Sequence, residues 1–184
     1  MKISRLFKHQ RGAALFVSLL LLVVMTLIAL AAGQSTRMQE KMSGNIRDAD
    51  LAFQAAEAAL RDGDQQVVSL KAEPTLCADA SATCDYYDHD VLPADLSAQP
   101  WSWWSKYSRQ YLAPSAGTTG ANNIPNVDQD PRTIVEEVAN LPPGLSIGKV
   151  PTPGRVFYRV VAHGTGGTSA AEAVIDTTYS RPSF

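Results

Sequence analysis

No aspartate or glutamate occurs before Glu40, and no charge of either sign lies between Ala13 and Thr36. The first absence leaves Lys2, Arg5, Lys8 and Arg11 as the charged residues of the N-terminal stretch. The second excludes a solvated surface helix and leaves an apolar segment long enough to cross a membrane. Cysteine is scarce: Cys77 and Cys84 are the only two. With His89 they could offer three metal ligands, but the spacing fits no zinc pattern and no fourth ligand is evident. No GxSxG serine accompanies His163, so an oxyanion site there is disfavoured against a hairpin end. GTGGTS (164–169) is followed by no lysine and opens no helix, which excludes a phosphate loop. The expectation is a chain without catalysis, cofactor or metal.

What is present begins with HQRGAALFVSLLLLVV (9–24), where a basic stretch stops at Gly12 and the apolar run starts at Ala13. Twenty-four residues of helix span about 36 Å at ~1.5 Å each, against a hydrocarbon core of ~30 Å. Basic residues ahead of the run and none immediately after it put the N-terminus in the cytoplasm and the rest outside. In an oxidising compartment Cys77 and Cys84 most simply close a small loop, contributing about 2.5 kcal/mol on the chain-entropy model. If residues 1–12 are removed, four basic residues go and every acid stays. The side-chain balance then moves from −2 to −6, which argues against nucleic acid as a partner.

Three devices explain a basic N-terminus before an apolar run. A secretory signal could be cut near Ala29-Leu30-Ala31, but its core would be about twice the usual ~7–15 residues. A plain anchor needs no glycine. A prepilin leader is cut directly after glycine on the cytoplasmic side and leaves the apolar helix on the mature protein. The following stretch contains no proline from Gln34 to Asp64. Met38, Met42, Ile46, Ala49, Phe53, Ala56 and Leu60 keep helical spacing there, predicting one helix from about Ala13 to Val67 with this stripe facing a sheet. Gly33 and Gly44 are its weak points, each costing about 1 kcal/mol relative to alanine.

Residues 64–100 are polar and punctuated by Pro74, Pro93 and Pro100. DYYDHD (85–90) reads as a solvated acidic loop carrying Asp85, Asp88 and Asp90. Trp101, Trp103, Trp104, Tyr107 and Tyr111 are expected to pack on helix and sheet, with an exposed binding patch as the alternative. In the loop 117–131, Asn126, Asp128 and Asp130, with Glu137 further on, faintly echo a calcium loop. Pro131 stands where such a loop needs glycine. TIVEEV (133–138), RVFYRVVAH (155–163) and AEAVIDTTY (171–179) predict strands, the last two joined by a turn. LPPGLSIGKVPTPG (141–154) is a proline-rich connection.

RGAALFVSLLLLVVMTLIALAAG followed by MSGNIRDADLAFQAAEAALRDGD resembles the N-terminal region of PilX-type minor pilins of type IV pili, over about residues 10–64. LAFQAAEAAL (51–60) is the most specific part. The resemblance implies an α+β pilin fold, with a long N-terminal helix packed on a small antiparallel sheet. It divides the chain into a leader (1–12), a membrane and filament-core half-helix (13–36), an amphipathic half-helix (37–67) and an extracytoplasmic region (68–184). It further implies cleavage after Gly12 by a prepilin peptidase, N-methylation of Ala13, and storage in the inner membrane at an assembly platform. Incorporation with other minor pilins into a tip complex, under a PilY1-type adhesin, would follow. Most pilins begin with phenylalanine, so Ala13 is a departure. Val17 falls at the fifth mature position, where most have glutamate; that absence is shared with minor pilins and pseudopilins placed at filament tips. A tip pseudopilin of a type II secretion system and a membrane-anchored envelope enzyme or binding protein are the rival readings.

Overall fold

A run of leucine, valine and alanine with no proline to break it sustains helical hydrogen bonding without interruption. In the computed structural model α1 accordingly spans Arg11–Val68. The structure describes residues 11–80, 84–120, 124–144 and 154–183. The basic residues Lys2, Arg5 and Lys8, part of the 117–131 loop and most of the 141–154 connection lie outside the described residues. The chain divides into two compact units at Gly44, one of the two glycines that weaken the helix in sequence. Unit 1, residues 1–44, contains the apolar part of α1, whose large side chains from Leu15 to Leu30 are exposed.

Unit 2 contains the rest of α1 and a four-stranded antiparallel sheet in the order β1-β2-β3-β4. The strands are β1 (Arg109–Gln110), β2 (Arg132–Leu141), β3 (Arg155–Thr165) and β4 (Glu172–Pro182). A short helix, α2 (Trp101–Tyr107), precedes β1. Sequence alternation located all three long strands, each of which runs further than the pattern suggested. The 101–112 stretch was not legible as a helix, because the two turns of α2 after Pro100 have too few residues to show a period. A bulge interrupts the β2–β3 ladder between Glu137 and Ala139.

Period-two alternation gives the sheet two covered faces. Val135 on β2 and Val156, Tyr158 and Val160 on β3 form one core with Val67 of α1. Ile134 and Val161, one residue out of phase, face the other way into Tyr87, Leu92, Leu96 and Trp104. The helix therefore covers one face, and the 77–107 segment covers the other.

Only the end of the predicted stripe of α1 meets the sheet, where Ala56 is buried and Leu60 packs partly covered against the core of Val135, Tyr158 and Val160. Met38, Met42, Ile46 and Phe53 are exposed, and only Ala56 of the set is fully buried. The buried face is instead Ala52, Ala55, Ala56, Ala59, Gly63 and Val67. Close approach is the reason. A Cβ added to Gly164 of β3 would lie 2.5 Å from the Ala52 carbonyl oxygen, and one added to Gly63 would lie 2.5 Å from Cγ1 of Val160. At that separation no leucine or methionine fits, so small residues take the interface and the large ones are left outside.

Candidate functional site

The N-terminal segment presents its apolar side chains on the outside of the helix. In unit 1, Val17 is 54% exposed among leucines and valines of similar exposure. The few hydroxyls there are returned to the backbone: Ser18 donates to the Leu15 carbonyl at 2.9 Å and Thr26 to that of Val23 at 2.8 Å. Such bonds remove the need for water at those side chains and leave an apolar cylinder suited to lipid or a filament core. Gly12 and Ala13 both lie within the helical span of α1.

Unit 2 holds its part of α1 with three polar attachments that the sequence reading missed. Asp48 accepts hydrogen bonds from the Gly167 N–H at 2.5 Å, the Thr168 N–H at 3.3 Å and the Thr168 hydroxyl, fixing the β3–β4 turn to the helix. The Thr168 hydroxyl holds the Asp48 carboxyl below its ordinary value against the opposing effect of burial, with the Gly167 and Thr168 backbone donors each adding a smaller lowering. Asp62 accepts from Arg109 at 2.6 Å and from the Leu112 N–H at 3.1 Å, in a largely buried ion pair. Arg181 of β4 donates to the carbonyls of Val67 at 3.0 Å and Leu70 at 2.9 Å, placing a cation on the helix C-terminus. A signal existed for two of these: Asp48, Ala52, Ala55, Ala59 and Asp62 are spaced 4, 3, 4 and 3, one narrow face of small residues ending in acids.

Cys77 and Cys84 are joined, with Cα atoms 6.2 Å apart. The closed loop leads directly into a backbone clamp on β2. Tyr87 N–H donates to the Val135 carbonyl, and Glu137 N–H donates to the Tyr87 carbonyl, both at 2.9 Å. The Tyr87 side chain points inward and donates to the Tyr107 carbonyl at 2.7 Å. Burial pushes its hydroxyl up to about 12. Asp88, His89 and Asp90 face solvent. Asp85 is the exception, accepting from the Ala116 N–H at 2.5 Å.

Of the aromatic cluster, Trp104 is fully buried, while Trp101, Trp103, Tyr107 and Tyr111 are partly covered. Trp101 and Trp104 both lie against His163, at ring separations of 5.3 and 5.0 Å. His163 lies inside β3, two residues short of its end, and is 1% exposed. Burial lowers its pKa, opposed by Glu172, whose carboxylate is 3.6 Å from Nε2.

The faint calcium pattern is dispersed by the fold. Asp130 accepts from Gln110 at 2.7 Å, while the Asp128 N–H donates to Gly166 at 2.7 Å. Asn126 occupies a left-handed turn position at φ 67°. Glu137 is buried within β2 opposite Tyr158, its carboxyl raised by burial and then by the nearby Glu73 and Asp88. Among the described residues no three His, Cys, Asp or Glu side chains are grouped to hold a metal ion.

Comparison with known families gives two matches. Residues 11–61 match a family model described as PilX N-terminal. Residues 69–181 match one described as Type IV pilus assembly protein PilX C-term. No curated protein and no solved structure matches the chain.

Proposed function

The chain belongs to the PilX family of type IV pilus assembly proteins, and from that premise we propose that it is a minor pilin that starts a filament and remains at its tip. The family is one of structural pilins, and the role needs no chemistry from this chain. The observation that carries the proposal is Val17, an apolar residue at the fifth position after Gly12.

In this reading a prepilin peptidase removes residues 1–12 and Ala13 becomes the methylated N-terminus. The subunit waits in the inner membrane, N-terminus toward the cytoplasm, until the assembly platform extracts it with other minor pilins. In a pilin with glutamate at the fifth mature position, that carboxylate compensates the N-terminal ammonium of the subunit laid down before it. Removing one partner of such a pair in an apolar core costs roughly 3–5 kcal/mol. Val17 cannot compensate a predecessor. A subunit carrying it avoids the cost by having no predecessor, and the first subunit laid down is the distal one. A PilY1-type adhesin would then sit above it.

Immunogold labelling of sheared pili tests the placement. Label confined to filament ends, at about one copy per end, is the expected result. Label spaced along the shaft would overturn tip placement while leaving the family assignment untouched.

A further inference from the structure

Where α2 ends and the sheet begins, polar side chains from four segments converge on a cavity of about 240 Å³. Ser105 and Lys106 come from α2, Gln110 from β1, Arg132 from the start of β2, and Thr118 and Thr119 from the turn after Ala116. The turn is held in place: Gly117 adopts a positive φ of 77°, and Thr118 bonds back to Ser115.

Arg132 is the unusual member. One guanidinium nitrogen donates to the Ser108 carbonyl at 3.0 Å, and the group lies 5.6 Å from the centre of the Trp101 ring. Its Nε is buried with no hydrogen-bond partner among the described residues. No carboxylate is within ion-pair distance of Arg132 or Lys106 among the described residues. The Asp130 carboxylate is engaged by Gln110. Burial depresses the Arg132 pKa, with Asp130 opposing. A partly desolvated guanidinium with no carboxylate in ion-pair contact is an unfavourable arrangement that an anion would improve. Lys106 likewise has an aromatic neighbour and no ion pair among the described residues, its ammonium lying 4.8 Å from the centre of the Tyr107 ring.

We propose that this cavity is an anion site that takes one sulfate- or phosphate-type oxyanion, free or as a monoester on a sugar. The terminal guanidinium nitrogen of Arg132 that is not used on the Ser108 carbonyl offers a charged donor to such oxygens, and lysine adds a point charge at the rim. The Thr119 hydroxyl is an additional donor on the cavity wall. The volume falls below the ~300–1,000 Å³ of pockets that engulf a drug-sized ligand. It suits an anionic group whose carrier stays outside. The site is independent of where in the filament the subunit sits.

Calorimetric titration of the detergent-solubilised full chain with sodium sulfate, sodium phosphate and a 6-sulfated monosaccharide, against chloride at equal ionic strength, tests the proposal. Saturable binding of sulfate or phosphate is expected. Lys106→Gln should weaken it at least fivefold, and Arg132→Gln, which removes the guanidinium charge, about tenfold. Lys106 is exposed, so K106Q keeps the test usable if the arginine variant misfolds. Tighter binding of the sulfated sugar than of free sulfate identifies the monoester as ligand, and equal binding identifies the free anion; both support the site. No saturable binding beyond chloride, binding unchanged in K106Q, or a response only to acidic peptides would overturn it.

Discussion

At the scale of single residues, burial decides what each polar group can do. His163 lies among Trp101, Trp104, the opposing Arg132 and the carboxylate of Glu172. Its folded pKa is lowered, chiefly by burial, so the unfolded chain binds the proton more readily. The stability contribution is complete above the unfolded value of about 6.5 and is lost as pH falls below it toward the folded value. Thermal midpoints should therefore decline from pH 7 to pH 5.5, with the His163 ring still neutral by NMR at pH 6.5. A ring already protonated there would refute this reading. Asp48 has the opposite sense of charge but the same direction of pH dependence. Its depressed carboxyl stabilises above the unfolded value of about 3.9, and that contribution disappears as pH falls through the folded one. Asp48→Asn should release the Gly167–Thr168 turn, read as faster amide exchange at Gly167 with the sheet amides unchanged.

At the scale of elements, the contact between α1 and the sheet depends on the absence of side chains. Gly164→Val would push a branched side chain into the α1 backbone at Ala52 and Ala56. The expected loss is roughly 1–3 kcal/mol or more by overpacking, measured by denaturant melting in detergent. An unchanged midpoint would show that the helix does not approach the sheet as described. The same contact explains what the sequence disclosed. The helix, the three long strands and the hairpin between the last two follow from period and turn chemistry, which act locally. The face that α1 turns to the sheet did not follow, because large apolar residues marked one stripe while the closeness of the sheet selected another. Only the partner surface carries that information. Likewise the attachment at Arg181 joins residues more than 100 positions apart, beyond the reach of any local pattern. The calcium pattern failed for a related reason: sequence spacing presumed a continuous loop, and Glu137 belongs to a strand.

At the scale of the whole molecule, the apolar half of α1 and the folded unit carry different surfaces, and the processing proposed above is tested at Gly12. Gly12→Val should leave the 12-residue leader in place and abolish methylation at Ala13, seen as an intact N-terminus by mass spectrometry of membrane extracts. A mature start near Ala32 would instead mark a secretory signal. Val17→Glu should allow the subunit to follow another in a filament, moving label from pilus ends into the shaft. The attachments of unit 2 have a mechanical consequence as well. In the proposed role the subunit is hauled by its helix, and the points that tie α1 to the sheet, from Asp48 to Val67, are spread over about 29 Å at ~1.5 Å per residue. Tension along the helix therefore loads the turn clamp, the Asp62 ion pair and the Arg181 cap in parallel, as shear. None can be peeled away before the others bear force, so the folded unit travels with its handle.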